Sequence, residues 1–236
     1  MPGADKLAMR RFVILLLSLF AVALPVHAEE VVVHQVIEET VEVTEIVDEG
    51  GSERFVGNAP AAIPQGIARF GPFRVLDGTR AAMVDVTDSD SPAQFGAMML
   101  AHPDIEVLEM IECPGTEDDR ANLKLGRMIR ARGLTTHVPA GGSVRSGGVE
   151  LFLAGKRRIA DPGSEFAVHA WADVDGREPG DYAEGAPENR AYVDYYIEMG
   201  MPEMRARAFY AMTNSVPNAD ARWLTAAEMG KWVVLD

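Results

Sequence analysis

Ser146 and His169 are the two side chains whose types and settings could carry out nucleophilic chemistry. Ser146 lies in the glycine-rich run Gly141-Gly142-Ser143-Val144-Arg145-Ser146-Gly147-Gly148, which leads into an apolar, helix-like segment reaching Ala154-Gly155. A hydroxyl at such a turn can be exposed beside free backbone N–H groups, which is what attack on a carbonyl requires. His169 closes the apolar run Phe166-Ala167-Val168, and an imidazole can accept a hydroxyl proton near neutral pH. The structural alternatives are a plain turn serine and a histidine satisfied at a strand end.

The elements that must position this pair alternate along the chain. Phe73 to Leu76 and Ala81 to Val86 read as strands joined by the turn Asp77-Gly78. Asp88-Ser89-Asp90-Ser91 is a helix-entry loop, and Ser91-Pro92 opens a helix to about Ala101, with serine as N-cap and proline in the first turn. Ile105 to Cys113 is the next strand. Thr116 caps a helix that begins with Glu117, Asp118 and Asp119 and closes at Gly133. Leu134 to Val138 is then a strand that feeds the glycine-rich turn. After His169 come a polar loop (172–186), helices from Pro187 to Met199 and from Pro202 to Met212, and a capping box at Thr225-Ala226-Ala227-Glu228. Alternating strands and helices predict an α/β domain with its ligand at the carboxyl ends of strands.

The start of the chain reads as a signal peptide over residues 1–28. Lys6, Arg10 and Arg11 precede the apolar run Phe12 to Leu24, and Val26-His27-Ala28 supplies small residues for cleavage after Ala28. That run is short of the roughly 20 apolar residues of a membrane span. A periplasmic or secreted location is expected, with no membrane span after cleavage. Residues 29–65 form an acidic arm, rich in valine and glutamate, with a linker of breaker residues, and the compact domain is expected over 66–236.

The net charge is −14, and removing residues 1–28 takes away three basic side chains and one acidic one, leaving −16. Such a surface repels phosphate backbones, so nucleic acid is excluded as a partner. The single cysteine, Cys113, has no disulfide partner in the chain and reads as a small core residue, because Glu109 and Glu112 would disfavour its thiolate. No metal or cofactor is expected. The histidines lack i, i+4 ligand partners, Arg177 occupies a ligand position in the calcium-loop-like Asp173-Val174-Asp175-Gly176, and Gly148 replaces the lysine of a P-loop. Tyr192, Tyr195, Tyr196 and Met199 make a helical stripe suited to core or a subunit interface.

The segment Ser146-Gly147-Gly148-Val149-Glu150-Leu151-Phe152-Leu153-Ala154-Gly155 resembles the region around the catalytic serine of the Clp protease proteolytic subunit. Pro114-Gly115 resembles that family's oxyanion turn, and Phe166-Ala167-Val168-His169 its histidine strand. Trp223 to Gly230 resembles its closing segment, in which an acidic helix precedes a terminal strand. Residues 70 to 236 are similar above all to exported Clp-like proteins of the ClpP/crotonase superfamily.

This resemblance implies an α/β fold of ClpP/crotonase-like repeated ββα units with C-terminal helices, and the chemistry of a serine peptidase or hydrolase. It further implies Ser146 as nucleophile, His169 as base, and the amides of Gly115 and Gly147 as oxyanion donors. For the third member of the triad, Asp220 is the choice and Asn218 the alternative. The partners implied are a peptide or protein substrate and further copies of the chain as a homo-oligomer. A rival function is a catalytically inactive binding or scaffold protein of the cell envelope. Acyl-thioester chemistry is a third reading, for which the sequence offers no clear acidic pair.

Overall fold

The computed structural model describes residues 59–236. The expected signal peptide, the acidic arm to residue 50 and His34 lie outside the described residues.

Two sheets are fed by paired strands. The larger contains β1 (Ala68–Phe70), β2 (Phe73–Val75), β3 (Arg80–Met83), β4 (Val107–Met110), β6 (Thr135–Val138) and β8 (Arg157–Ala160), adjacent in that order. The smaller runs β10 (Arg222–Thr225), β9 (Glu165–Val168), β7 (Ser143–Arg145), β5 (Glu112–Cys113). β3, β4, β6 and β8 pair in parallel, as do β5, β7 and β9; β1 and β2 extend one edge of the larger sheet antiparallel, and β10 caps the smaller sheet in the same way.

Successive pairs β4/β5, β6/β7 and β8/β9 each give one strand to each sheet. Helix α2 (Asp119–Arg132) follows β5, and α3 (Gly147–Leu153) follows β7. These are the expected ββα repeats of an α/β domain. Helices α4 (Pro187–Glu198), α5 (Glu203–Thr213) and α6 (Ala226–Met229) complete the C-terminal part.

Several local expectations are corrected. Ile105 to Cys113 is not one strand, because the chain changes sheets at Ile111. The glycine-rich turn is confined to Gly141-Gly142, since Ser143, Val144 and Arg145 are a fully buried strand. α1 (Ser91–Ala101) begins where predicted, but Asp90 occupies the cap position, and Asp88 Oδ1 accepts from the Ser91 N–H and hydroxyl instead. α2 is capped by Asp118, whose Oδ1 accepts the Ala121 N–H at 2.9 Å, and not by Thr116. Gly133 does close that helix, with φ +70°. In the closing segment the order is reversed: strand β10 comes first and α6 follows. The capping box is present, with Glu228 Oε2 accepting the Thr225 N–H at 2.8 Å. Upstream of residue 66, the Ala61 N–H donates to the Gly141 carbonyl at 2.9 Å.

The core lies between sheets and helices. α3 is buried along its whole length, and the Phe152 and Phe166 rings meet at 4.9 Å. Cys113 is fully buried, with burial pushing its thiol well above the usual range. Tyr195 and Tyr196 of the helical stripe are core residues, and Tyr195 donates to the Glu150 carbonyl at 2.7 Å. Among the described residues no helix is long and apolar enough to cross a membrane.

Candidate active site

The order β9-β7-β5 brings three carboxyl ends side by side, and each carries one predicted site segment. Pro114-Gly115-Thr116 follows β5, Ser146 follows β7, and His169 follows β9. The Ser146 N–H donates to the Ala167 carbonyl at 2.9 Å, which continues the ladder between β7 and β9 to the end of the strand. Gly115, Gly147, Ser146, His169 and Asn218 all line one cleft of about 380 Å³.

Ser146 is the only non-glycine residue with positive φ among the described residues, at φ 48° and ψ −129°. A side chain rarely adopts this backbone, and holding one there costs about 1–3 kcal/mol. The chain makes the conformation possible by removing Cβ atoms around it. A Cβ on Gly115, whose φ is +143°, would come within 3.1 Å of Ser146 Cβ. One on Gly147 would lie 2.6 Å from Thr116 Cγ2. The sharp turn lets α3 start immediately after the serine, with no side-chain cap on its first amides.

Two buried polar residues that sequence reasoning missed hold this turn. Asn122, 2% exposed, donates from Nδ2 to the Gly147 carbonyl at 2.7 Å. Its Oδ1 accepts from the hydroxyl of the fully buried Thr87 at 3.0 Å. The Thr87 backbone N–H donates to the Gly115 carbonyl at 3.1 Å, and the Glu117 N–H donates to the Thr87 carbonyl at 2.8 Å. These bonds fix the carbonyls on either side of the serine. The Gly115 and Gly147 amides have no protein acceptor among the described residues. The Thr116 N–H is also unpaired, on the edge of its segment away from Thr87. A buried Asn in the first turns of a helix is the only sequence signal that could have pointed to this brace.

His169 Nδ1 lies 2.8 Å from the Ala170 carbonyl oxygen. That oxygen is acceptor-only, so Nδ1 carries the proton and donates it, leaving the lone pair on Nε2. Nε2 is buried without a hydrogen-bond partner, and the Ser146 hydroxyl makes no bond to it. Asn218 Nδ2 also donates to the Ala170 carbonyl at 2.8 Å and lies 3.2 Å from His169 Nδ1. The Asn218 N–H is in turn held by Glu178 Oε1 at 2.8 Å. Asp220 is exposed and absent from the cleft lining, so the residue beside His169 is Asn218.

The lining also includes Glu117, Asp119 and Glu150, together with Trp171, Tyr192 and Tyr196. Sequence reasoning found no acidic pair because Glu117 and Asp119 stand at the entry to α2 whereas Glu150 belongs to α3. Glu150 is 8% exposed, and Tyr196 donates its hydroxyl to Oε1 at 2.7 Å. Desolvation pushes the Glu150 carboxyl up to about 7. Asp119 as a residue is open to solvent, but its carboxyl turns into the cleft and is raised by desolvation, against the lowering effect of the Tyr192 hydroxyl. Asp173 in the calcium-like loop is occupied by Arg177 at 3.0 Å. Among the described residues no group of three or more acidic, histidine or cysteine side chains could hold a metal.

No family model matches the sequence, and no curated protein does. Among solved structures, the chain is similar to the 1510-N membrane protease from Pyrococcus horikoshii, which is specific for a stomatin homolog. The identity is 16%, covering 66% of this chain and 70% of that one, with a TM-score of 0.44. It is similar also to a ClpP1 variant from Listeria monocytogenes, at 16% identity, 67% and 90% coverage and TM-score 0.41. A third is human enoyl coenzyme A hydratase domain-containing protein 3, at 14% identity, 71% and 70% coverage and TM-score 0.44.

Proposed function

We propose that the chain is an exported serine hydrolase of the ClpP/crotonase type, acting on peptides, with Ser146 as nucleophile and His169 as general base. The observation that carries this reading is the strained Ser146 backbone in one cleft with a half-buried imidazole whose Nε2 is buried without a protein partner. Backbone strain held in place by a buried hydrogen-bonded brace is a feature of functional sites.

In the proposed reaction Ser146 Oγ attacks the peptide carbonyl carbon while its proton passes to His169 Nε2. The carbonyl oxygen becomes an oxyanion facing the Gly115 and Gly147 amides, and each such donor is worth about 10²–10³ in rate. Collapse breaks the C–N bond, and the imidazolium returns its proton to the leaving amine. Water then repeats the sequence on the acyl-serine and regenerates the hydroxyl. Asn218 orients the imidazole without supplying the negative charge of an aspartate. The oxygen–nitrogen bond between Ser146 and His169, not made in the free protein, would form on substrate binding.

The second reading, a silent binding or scaffold protein, draws on two observations: the unmade Ser146–His169 bond and the amide in place of a carboxylate beside His169. A fluorophosphonate probe separates the two. The hydrolase labels, and Ser146→Ala does not; folded wild-type protein that stays unlabelled is the scaffold. Export rests on the Phe12–Leu24 run and its Val26-His27-Ala28 end, and recovery of the chain lacking residues 1–28 from a periplasmic fraction tests it.

A further inference from the structure

We propose that the cleft selects a cationic side chain, lysine or arginine, in the peptide that it binds. The inference rests on the peptidase reading for the nature of the ligand, and it adds the class of residue recognised.

The lining carries three carboxylates and no lysine or arginine. Glu117 and Asp119 stand at the solvent-open rim, and Glu150 lies at the nearly closed floor. Among the described residues none of the three makes an ion pair, whereas neighbouring cations are engaged elsewhere. Arg145, at the end of β7, donates to Glu112 at 2.6 Å and to the Ser143 hydroxyl at 2.9 Å. Arg127 pairs with Glu198 at 2.5 Å. Arg120 and Lys124, on the same helix as Asp119, lie outside the lining.

A desolvated carboxylate without a counter-charge is costly, and a ligand cation relieves that cost on binding. Glu150 already has a neutral partner, the Tyr196 hydroxyl, and Asp119 feels the Tyr192 hydroxyl and the His169 imidazole, neither of them a fixed cation. Trp171 and Tyr192 also line the cleft, with rings 6.1 Å apart and 7° from parallel. Aromatic walls suit the apolar stem of lysine or arginine and attract its charged head. An inorganic cation fits less well, since the carboxylates do not converge into a ligand cluster.

The test uses the full chain carrying Ser146→Ala, so that binding is read without turnover. Titration calorimetry at pH 8 compares three acetylated, amidated pentapeptides that differ only at the central residue: lysine, norleucine or glutamate. The expected result is lysine binding at least about tenfold tighter than norleucine, the value of one charge-assisted contact, with the glutamate peptide weakest. Adding Asp119→Asn should shrink the lysine preference, read as the ratio of lysine to norleucine affinity. Norleucine binding as tightly as lysine, or no binding by folded protein, overturns the proposal. Fluorophosphonate labelling of the wild type reports on the hydrolase reading separately. Labelling without lysine preference removes only the selectivity, and lysine preference without labelling removes only the chemistry.

Discussion

The Nδ1–H of His169 and the side-chain amide of Asn218 converge on one acceptor, the Ala170 carbonyl, each at 2.8 Å. This shared acceptor fixes the imidazole ring and its tautomer together, so the lone pair on Nε2 is set by backbone and not by a carboxylate. Asn218→Ala removes one of the two bonds and should slow fluorophosphonate labelling about tenfold, the worth of one such hydrogen bond. Asp220→Ala, at an exposed position outside the cleft, should leave the rate within about twofold. Labelling rates of the two variants side by side check the assignment, and a larger effect at Asp220 would reverse it.

Asn122 braces the serine turn from beneath. Asn122→Ala removes the amide that ties the Thr87 hydroxyl to the Gly147 carbonyl and leaves that hydroxyl only the Gly115 carbonyl at 3.2 Å, at a cost of about 1–2 kcal/mol. Urea unfolding measures that loss. The labelling rate, measured where the variant is fully folded, should also fall, because the peptide after Gly147 is no longer held. A stability loss with an unchanged rate would make Asn122 purely structural.

The glycines around Ser146, the terminal apolar run of His169 and the capping box at Thr225 were legible because each is a local signal of turn, strand or cap. The ββα rhythm followed from them. The split of Ile105–Cys113 between two sheets was not legible, since both pieces are short, apolar and continuous in sequence. β8 (Arg157–Ala160) carries two arginines and reads as polar, yet it joins the larger sheet through its backbone. Asn218 and Asp220 are two positions apart, and only the path of the loop decides which reaches His169. Thr87, Asn122 and Glu150 were missed because buried polar residues on separate elements leave no spacing pattern.

Strain at Ser146 predicts a conflict between stability and chemistry. Ser146→Gly relieves about 1–3 kcal/mol of backbone strain and gives back about 0.5–1 kcal/mol through the greater freedom of unfolded glycine. The net gain of about 1 kcal/mol should raise Tm by about 2–4 °C in a domain of this size. Calorimetry of this variant should find that gain, and a fall in Tm would mean that the serine side chain contributes more to folding than its backbone costs.

Glu150 gives the fold a pH dependence of known sign. Its folded-state pKa of about 7 lies above the ordinary 4.5, so the folded protein holds the proton more tightly than the unfolded chain. The stability it contributes is complete below pH 4.5 and is lost as pH rises through 7. Glu150→Gln cannot ionise and keeps an acceptor for Tyr196. Its stability relative to wild type should therefore rise by about 3 kcal/mol between pH 4.5 and pH 8.5. Urea titrations at the two pH values measure that difference, and a pH-independent gap would contradict it.

The central claim is that Ser146 is a nucleophile activated by His169. Peptide mapping after treatment with a fluorophosphonate tests it most directly. The account predicts a single phosphonyl adduct on Ser146 of the wild type, and none on folded His169→Ala or Ser146→Ala protein. A folded wild type without an adduct, or an adduct that persists at the same rate in His169→Ala, would contradict it.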